Sequence, residues 1–351
     1  MYCQQPRVFC WPYPRTCVRL PRMRVVVGSI IGLVMLWLAF RGESPGALVA
    51  AIRQADPWWT TAALVSIAMT LGFVTLRWRV LFGRPDGGAP RLGPLFKALV
   101  LGQAVNIALP IRVGELVRVL LVYRTGGQTL ERTFVTVAAE RLMDTAMVAL
   151  AAAWLALQVT FPPWLAGPVR AITIAGVIAT ALGVATMLAG RRVSAFLRAK
   201  VETRAHQGLA RFARRSATII GEAAQLRDPR TLGAALALSA VILLLSVSTN
   251  YLLFLAFRLT VPPVAALLVL LVLQVGSAPV STPGNLGVFQ YLTVLALGVY
   301  SVDRTTAVAY SVVLYVIAYG PKLVLGAWLL VRVTRDATVG PDVLAMIRGR
   351  R

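Results

Sequence analysis

Long apolar runs separated by short, arginine-rich segments dominate the pattern along this chain. A transmembrane helix needs about 20 consecutive, mostly apolar residues. Six runs come near or exceed that length and predict six membrane spans, which are Val25 to Phe40, Trp59 to Leu76, Phe134 to Val159, Ala171 to Ala189, Leu232 to Phe257 and Thr306 to Val331.

Two further apolar stretches, Leu92 to Val122 and Val264 to Tyr300, are interrupted near their centres by Pro, Gly and polar residues. A helix facing lipid would leave backbone groups unpaired at such interruptions. Both stretches are therefore predicted to be broken or re-entrant helix pairs. The predicted fold class is an all-α polytopic membrane protein with six clear spans plus two broken pairs, about eight membrane segments in all.

Basic residues predict the side of the membrane on which each loop lies. The N-terminus through Arg24, the segment Arg77 to Lys97, the long loop Gly190 to Arg230 and the tail from Arg332 are all positive, and the long loop holds ten Arg or Lys against three acids. Such loops belong in the cytoplasm. All these basic loops lie in the cytoplasm only if each interrupted stretch begins and ends on the same side of the membrane, either by dipping in and returning or by crossing twice. We expect a bacterial-type inner (plasma) membrane with both termini cytoplasmic.

This layout contains a weak internal repeat. An offset of 173 residues carries Trp59 to Leu232 and Phe134 to Ala307, and it aligns Pro110 to Gly114 with the second Pro-to-Gly segment, 283–287. The two units then have opposite orientations. Secondary transporters use such inverted repeats with paired broken helices to build a midplane substrate site, so we expect an inverted repeat here.

Composition narrows the classes of function. The chain has 351 residues, of which 58% are hydrophobic and 14% charged, too few charges for a soluble domain of this size. A net charge of +23 would suggest nucleic acid, but the arginines lie between apolar runs without base-stacking aromatic residues, so no nucleic-acid partner is expected. No nucleophile–base constellation, Walker loop or metal-ligand spacing is present, so neither an enzyme nor a cofactor is expected.

Three regions follow one another along the chain. Residues 1–22 form a basic leader rich in Pro and Arg that holds all three cysteines, without a close CxxC pair. Met23 directly precedes the first apolar run and is a candidate for the true start. Residues 23–331 form the membrane domain, and residues 332–351 form a basic cytoplasmic tail.

The first interrupted stretch carries charges at helical spacing. Arg112, Glu115 and Arg118 are three residues apart and follow Asn106. One helix face would hold all three charges, and Glu115 could neutralise either arginine. A charge at bilayer depth costs about 2.5–3.5 kcal/mol by insertion scales, which favours a paired cluster lining a polar cavity. The alternative is an interfacial cluster that only snorkels.

The next span holds Glu140, Arg141 and Asp144. Glu140 and Asp144 share a face, and Arg141 can pair with Asp144. Either one carboxylate titrates or contacts a cationic head group, or the group is a self-satisfied ion pair that fixes helix packing.

The second interrupted stretch combines chain breakers with polar side chains. Ser281, Thr282, Asn285 and Gln290 surround Gly284. A half-helix beginning after Gly284 would aim its N-terminal amides into the cavity, where an anionic phosphate would be favoured. The alternative is a packing kink.

The last span carries Ser311, Tyr315, Tyr319 and Lys322 on one helical stripe. Lys322 lies near the cytoplasmic third of this span. It is a candidate ligand for a head group, and the alternative is again snorkelling.

Three of these segments together resemble a known family. They are Asn106 to Arg118 (Asn-x-x-x-Pro-x-Arg-x-Gly-Glu-x-x-Arg), Glu140 to Asp144 (Glu-Arg-x-x-Asp) and Pro283 to Gly287 (Pro-Gly-Asn-x-Gly). The chain resembles the lysylphosphatidylglycerol synthase transmembrane family, also called flippase-like or UPF0104, over most of its length after Met23. It departs from the family pattern Gly-Gly-x-Gly-x-x-Glu with Asn285 at the second Gly and Gln290 at the Glu.

The resemblance implies a role in moving lipid. In full-length synthases this membrane domain precedes an aminoacyl transferase domain and is thought to flip the lipid product. This chain ends at Arg351, so the membrane part without lysyl transfer is implied. We expect a translocase for a membrane lipid with an anionic or polyprenyl-phosphate head group. Arginine binds phosphate well, so three arginines would hold it while three acids balance or titrate them, namely Arg112, Arg118 and Arg141 with Glu115, Glu140 and Asp144.

Two other functions remain open. One is a non-transporting scaffold or accessory subunit of a cell-envelope lipid pathway, with an envelope-biosynthesis enzyme as its partner. The other is an intramembrane lipid-modifying enzyme, which is disfavoured because no nucleophile sits beside a base.

Overall fold

The computed structural model describes residues 22–83, 88–109, 113–125, 127–159, 163–204, 218–223, 228–277 and 282–334. Helices and their connections make up these ranges, and no strand occurs within them. In chain order the α-helices are α1 (Arg22–Phe40), α2 (Pro45–Gln54), α3 (Pro57–Leu81), α4 (Leu92–Ala108), α5 (Gly114–Thr125), α6 (Leu130–Ala156), α7 (Pro163–Arg204), α8 (218–223), α9 (Pro229–Ala256), α10 (Val264–Gly276), α11 (Val288–Gly298) and α12 (Arg304–Thr334).

Several helices begin at a capping side chain followed by proline. Asp56 caps α3 by accepting a hydrogen bond from the Trp58 amide at 2.8 Å, and Asp228 caps α9 by accepting one from the Thr231 amide at 3.1 Å. Proline follows each aspartate, at a position where its missing N–H is not needed. The same Asp-Pro signal therefore starts both long apolar helices.

Four helices are long and apolar enough to cross a membrane, namely Pro57–Leu81, Ala166–Thr186, Pro229–Ala256 and Arg304–Arg332. A fifth span is possible if the helices Val27–Phe40 and Pro45–Gln54, which meet at a bend of 78°, count as one. The chain is thus an all-helical protein in its described part, with several candidate membrane spans.

The expected eight membrane segments are not confirmed. The predicted span Phe134 to Val159 lies largely in α6, which carries three charged residues near its middle and does not qualify by composition. The predicted interrupted stretches do break into two helices each, but α4 and α10 are too short to span alone.

The predicted loop Gly190 to Arg230 is partly helical. Helix α7 continues to Arg204, α8 covers 218–223, and α9 already begins at Pro229. Ala, Leu, Arg and Lys are good helix formers, so a segment rich in charge can still be a helix. The leader up to residue 21, residues 205–217 and the tail from residue 335 lie outside the described residues.

Helices α3 and α9 form an antiparallel pair. The hydroxyl of Ser66 donates to the carbonyl of Leu245 at 3.0 Å, and Arg77 donates to the hydroxyl of Ser239, also at 3.0 Å. At the start of α3, the Asp56 amide donates to the carbonyl of Ala256 at 2.9 Å. As residue numbers rise along α3, those of the partners fall along α9, so the two helices run in opposite directions.

Each broken helix pair packs against helices from the other part of the chain. Helix α4 packs against α5 and α12, while α10 packs against α11 and α6. A short 3-10 helix, Pro283–Asn285, connects α10 to α11, and Gly284 and Gly287 there have φ values of 65° and 82°, which favour glycine. A Cβ on Gly287 would overlap the carbonyl oxygen of Gly32, so α1 lies directly on the second break.

Large apolar side chains also cover the outside of the bundle. Leu244 on α9, Val324 on α12 and Trp154 on α6 are among the exposed ones. A soluble protein would not expose so many apolar side chains, whereas lipid tails solvate them. The outer faces of these helices are suited to contact with the bilayer.

Candidate functional site

Three arginines and three carboxylates on α3, α5 and α6 form a closed ring of ion pairs. Every arginine contacts two carboxylates, and every carboxylate contacts two arginines. Around the ring the residues follow one another as Arg77, Glu140, Arg118, Glu115, Arg141 and Asp144. With all six groups ionised, the charges of the ring sum to zero.

The inner half of the ring is buried. Nη2 of Arg118 lies 2.7 Å from Oε2 of Glu140, and Nη2 of Arg77 lies 3.4 Å from Oε1 of the same carboxylate. Nη1 of Arg77 also reaches Oδ1 of Asp144 at 2.7 Å. The side chains of Arg77 and Arg118 are each 1% exposed and that of Glu140 is 2% exposed. Charge-assisted hydrogen bonds thus hold each buried charge.

The outer half of the ring is open. Arg141 is 51% exposed, against 34% for Asp144 and 27% for Glu115. Arg141 pairs closely with Glu115 and lies 3.4 Å from Asp144, while Glu115 also contacts Arg118 at 3.1 Å. The ring therefore presents one arginine between two carboxylates at its accessible edge.

An aromatic side chain covers the inner half. The guanidinium carbon of Arg118 lies 4.2 Å from the ring centroid of Trp78, a cation–π distance. The Trp78 indole donates in turn to the hydroxyl of Thr136 at 3.1 Å. The Nε atoms of Arg77 and Arg118 are buried and have no hydrogen-bond partner. The hydrogen bonds of the ring are therefore made by the terminal nitrogens.

Asn106 joins the ring to the first break. Its side-chain oxygen accepts a hydrogen bond from the Gly114 amide at 2.7 Å, and its amide nitrogen lies 3.5 Å from Oε1 of Glu115. Gly114 is the first residue of α5, so Asn106 on α4 satisfies a free N–H across the break. This contact fixes where α5 begins and hence where Glu115 points.

Two glycines let α4 and α5 approach closely. A Cβ on Gly102 would lie 2.3 Å from Cγ of Arg118, and a Cβ on Gly114 would overlap the carbonyl oxygen of Gly102. Larger residues at these two positions would displace the arginine or the backbone. The glycines thus make room for Arg118 at the centre of the ring.

The structure brings most of the predicted first group together and adds one residue. Asn106, Glu115, Arg118, Glu140, Arg141 and Asp144 all meet in or beside the ring. Arg112 lies outside the described residues. Arg77 was missed because the sequence pattern assigns it to a polar segment after Leu76, whereas α3 continues to Leu81.

The other predicted residues lie at the second break. Gln290 is buried, and its side-chain oxygen accepts from the Gly287 amide at 2.8 Å, which caps α11. The Asn285 side-chain amide donates to the Tyr319 hydroxyl at 3.3 Å, and the ammonium of Lys322 lies 5.9 Å from the Tyr319 ring centroid. Within the described ranges, no hydrogen bond or ion pair joins these residues to the ring.

The predicted half-helix at the second break begins later than expected. Its first residue is Val288, and the amide of Gly287 just before it is already bonded to Gln290. Fewer amides are therefore left for an anion than a start after Gly284 would leave. As to metals, no group of three or more His, Cys, Asp or Glu side chains in the described part of the chain could hold an ion.

Comparison with known proteins agrees with the architecture. Residues 25–326 match the family described as "Lysylphosphatidylglycerol synthase TM region". A protein from Methanothermobacter thermautotrophicus described as "UPF0104 membrane protein" is 25% identical over 307 residues, which cover 83% of this chain and 90% of that protein. The matched range includes all of the ring and the second break. The chain therefore belongs to the lysylphosphatidylglycerol synthase transmembrane-region family, a family of membrane proteins linked to lipid handling.

Proposed function

We propose that this protein is a lipid translocase of a bacterial-type plasma membrane, which moves a phosphate-bearing lipid between the two leaflets. The observation that carries the proposal is the closed ring of charged side chains beside a broken helix. In this proposal the protein binds and moves lipid without making or breaking a covalent bond, and it needs no cofactor.

The energetics of the ring support a functional role. A single charge at bilayer depth costs about 2.5–3.5 kcal/mol by insertion scales, and pairing offsets that cost only in part. Well-packed hydrophobic residues often stabilise a protein as well as a buried ion pair does, or better. Six charges are thus a costly way to pack α3, α5 and α6 together, which favours contact with a polar ligand as their purpose.

The open edge of the ring supports contact with a head group. Arg141 is half exposed, so a lipid phosphate could approach it while Arg77 and Arg118 keep their buried carboxylates. A guanidinium can bind two phosphate oxygens at once. We therefore give Arg141 the contact with substrate, and we give Arg118, which is 1% exposed, the task of positioning Glu115 and Glu140.

The arrangement of helices supports an inverted repeat, which suits alternating access to both leaflets. An offset of 173 residues relates α3 to α9, α4 to α10, α5 to α11 and α6 to α12. Packing follows the same relation, since α4 contacts α12 and α10 contacts α6. The equivalent helices α3 and α9 run antiparallel, and Ser66 and Ser239, which the offset also relates, mark their contacts.

A second candidate function is a non-transporting scaffold or accessory subunit of a cell-envelope lipid pathway. The neutrality of the ring favours it, because a charge-balanced network could serve only to hold three helices together. This candidate predicts that exchanging the two charges of one pair is harmless. It also predicts that an envelope-biosynthesis enzyme co-purifies with the protein.

Lipid translocation in proteoliposomes separates the two functions. Purified protein is reconstituted with a fluorescent phosphatidylglycerol, and the rate at which label becomes inaccessible to an external quencher is measured. Arg141→Gln should lower the rate about tenfold or more, a loss of about 1.4 kcal/mol of barrier stabilisation. The matched control is Arg53→Gln, which removes an exposed arginine on α2 and should leave the rate unchanged.

Either of two results would contradict the proposal. If wild-type protein moves lipid no faster than liposomes without protein, the scaffold function is favoured. Full activity in the exchanged pair Glu115→Arg/Arg141→Glu would show that only charge balance matters. Thermal unfolding of each variant distinguishes loss of contact with lipid from loss of folded protein.

A further inference from the structure

Lys322 differs from the arginines of the ring in having no acidic partner. Each ring arginine has two carboxylates, whereas no carboxylate of the described residues lies within ion-pair distance of Lys322. Lys322 lies on α12, inside a candidate membrane span, and its side chain is partly buried. A cation in that position needs an anion or water to offset the loss of hydration.

An aromatic cluster lies beside this cation. The Lys322 ammonium lies over Tyr319, whose ring centroid is 4.7 Å from that of Tyr315. Phe289 on α11 packs edge-on against both tyrosines, at 5.4 and 5.5 Å. Both tyrosine hydroxyls bond to the second break, because that of Tyr315 donates to the carbonyl of Gly284 at 2.8 Å and that of Tyr319 accepts from an amide there. The aromatic group thus ties α12 to the break.

The backbone next to Lys322 is itself interrupted. Pro321 lies inside α12 and has no N–H, so the carbonyl of Ile317 lacks its usual helical donor. Four residues after Lys322, a Cβ on Gly326 would lie 2.2 Å from Cβ of Ala104, so this face of α12 is pressed against α4. Lys322 lies one turn before Gly326 on α12. Earlier residues of α12 lie closer to the C-terminal end of α4, because Tyr315 and the carbonyl of Ile107 both lie near Gly284. Lys322 is therefore on the side of the first break.

The two breaks meet at that end of α4. Asn106 contacts Glu115 of the ring, and the carbonyl of the next residue, Ile107, would lie 3.7 Å from a Cβ on Gly284 of the second break. The ring and the Lys322 group therefore flank the same turn of α4. One head group could lie between them.

We propose that Lys322 binds the phosphate of the transported lipid, and that the tyrosine pair holds the ammonium in place. The proposal rests on the proposed function and deepens it, because it assigns the anionic part of the substrate to the second half of the molecule. A phosphate at Lys322 requires no ring arginine to give up a carboxylate. The preference for an anionic head group thus depends on the unbalanced cation, because Arg141, which also contacts the head group in the proposed function, is already paired with two carboxylates of the ring.

Lipid binding measured by native mass spectrometry tests this assignment. The detergent-solubilised protein is titrated with phosphatidylglycerol and with diacylglycerol, which has similar tails but no phosphate. Wild type should prefer phosphatidylglycerol about tenfold or more, which is about 1.4 kcal/mol. Lys322→Gln should abolish that preference, and Lys322→Arg should keep it. The matched control is Lys97→Gln, which removes an exposed lysine on α4 and should leave the preference intact.

Each outcome bears on one proposal. A tenfold preference that survives in Lys322→Gln overturns the Lys322 site, even if wild type translocates lipid. Loss of the preference in that variant supports the site, even if no translocation is seen and the proposed function fails. Displacement of phosphatidylglycerol by an equal concentration of inorganic phosphate would assign the site to the free anion and overturn its assignment to lipid. If the glutamine variant does not fold, Lys322→Met, which removes the charge but keeps an unbranched side chain, provides the same test and should also abolish the preference.

Discussion

Arg77 shows what a single residue contributes to the ring. It links α3 to α6 through Glu140 and Asp144, and it links α3 to α9 through the hydroxyl of Ser239. Two residues along the helix, Arg79 is exposed. These two arginines are close in sequence, but Arg77 is buried in the ring and Arg79 is exposed.

Replacing Arg77 should therefore be far more damaging than replacing Arg79. Arg77→Met leaves the buried Glu140 and the partly exposed Asp144 with one partner each, and breaking a buried pair typically costs about 3–5 kcal/mol. Arg79→Met should change stability by less than about 0.5 kcal/mol. Thermal unfolding in detergent measures both. Adding Asp144→Asn to Arg77→Met restores a net charge of zero and should recover part of the loss.

Equal melting temperatures for the Arg77 and Arg79 variants would contradict the burial of Arg77. The sequence pattern could not identify this residue, because charge next to an apolar run is ordinary at the end of a span. Helical spacing gives a weak signal, since Ser66 and Arg77 are three turns apart and both face α9. Four charges, those of Glu115, Arg118, Arg141 and Asp144, were predictable because each has an opposite charge three residues away on its own helix. Glu140 was predictable only as a second carboxylate on the helix face of Asp144, since its own partners, Arg77 and Arg118, lie on other helices.

At the scale of elements, the breaks between α4 and α5 and between α10 and α11 were predictable from Pro and Gly inside apolar stretches. The number of spans was not predictable from the sequence. Helix α6 carries Glu140, Arg141 and Asp144 and is therefore too charged to qualify as a membrane span by composition. Apolar run length alone cannot show that three charges will be neutralised by α3 and α5. Whether these charges are neutralised depends on partners that are distant in the sequence.

Close packing of α4 on α5 gives a prediction for Gly102. A methyl group at Gly102 would lie 2.3 Å from Cγ of Arg118 and 2.7 Å from the carbonyl oxygen of Gly114, so Gly102→Ala should displace Arg118 and destabilise the protein by about 1–3 kcal/mol. The control is Gly93→Ala on the same helix, where a Cβ meets nothing within 4 Å. Alanine there should be neutral or stabilising by up to about 1 kcal/mol.

Thermal unfolding and translocation rates of both glycine variants provide the check. Gly102→Ala should lower both quantities, since Arg118 holds Glu115 and Glu140. If the two alanine variants melt at the same temperature, α4 and α5 do not pack at the distance described.

Across the whole molecule, the two halves of the proposed repeat differ in chemistry. The offset that relates the halves carries Arg77 to Asn250, Glu140 to Val313 and Asp144 to Ile317. In the second half, a core of apolar and aromatic side chains forms instead, and Tyr310 there donates to Asn250 at 3.1 Å. The charged ring therefore has no charged counterpart at the related positions of the second half.

Opposite orientation of the halves can be tested by cysteine labelling. Thr129, before α6, and Ser301, before α12, are exposed and occupy nearly equivalent positions in the two halves. In a variant with Cys3, Cys10 and Cys17 replaced by serine, Ser301→Cys should react with a membrane-impermeant maleimide in intact cells. Thr129→Cys should react only after the membrane is opened, because its loop is expected in the cytoplasm. Labelling of both from the same side would rule out the inverted arrangement.

The zero net charge of the ring has an electrical consequence. A membrane potential does work of about 2.3 kcal/mol on each elementary charge moved across 100 mV, but the work on three positive and three negative charges moved together cancels. If the ring moves as a unit during the proposed translocation, the field therefore favours neither of its positions. Loss of any one member leaves a single unbalanced charge, and the same movement then becomes dependent on voltage.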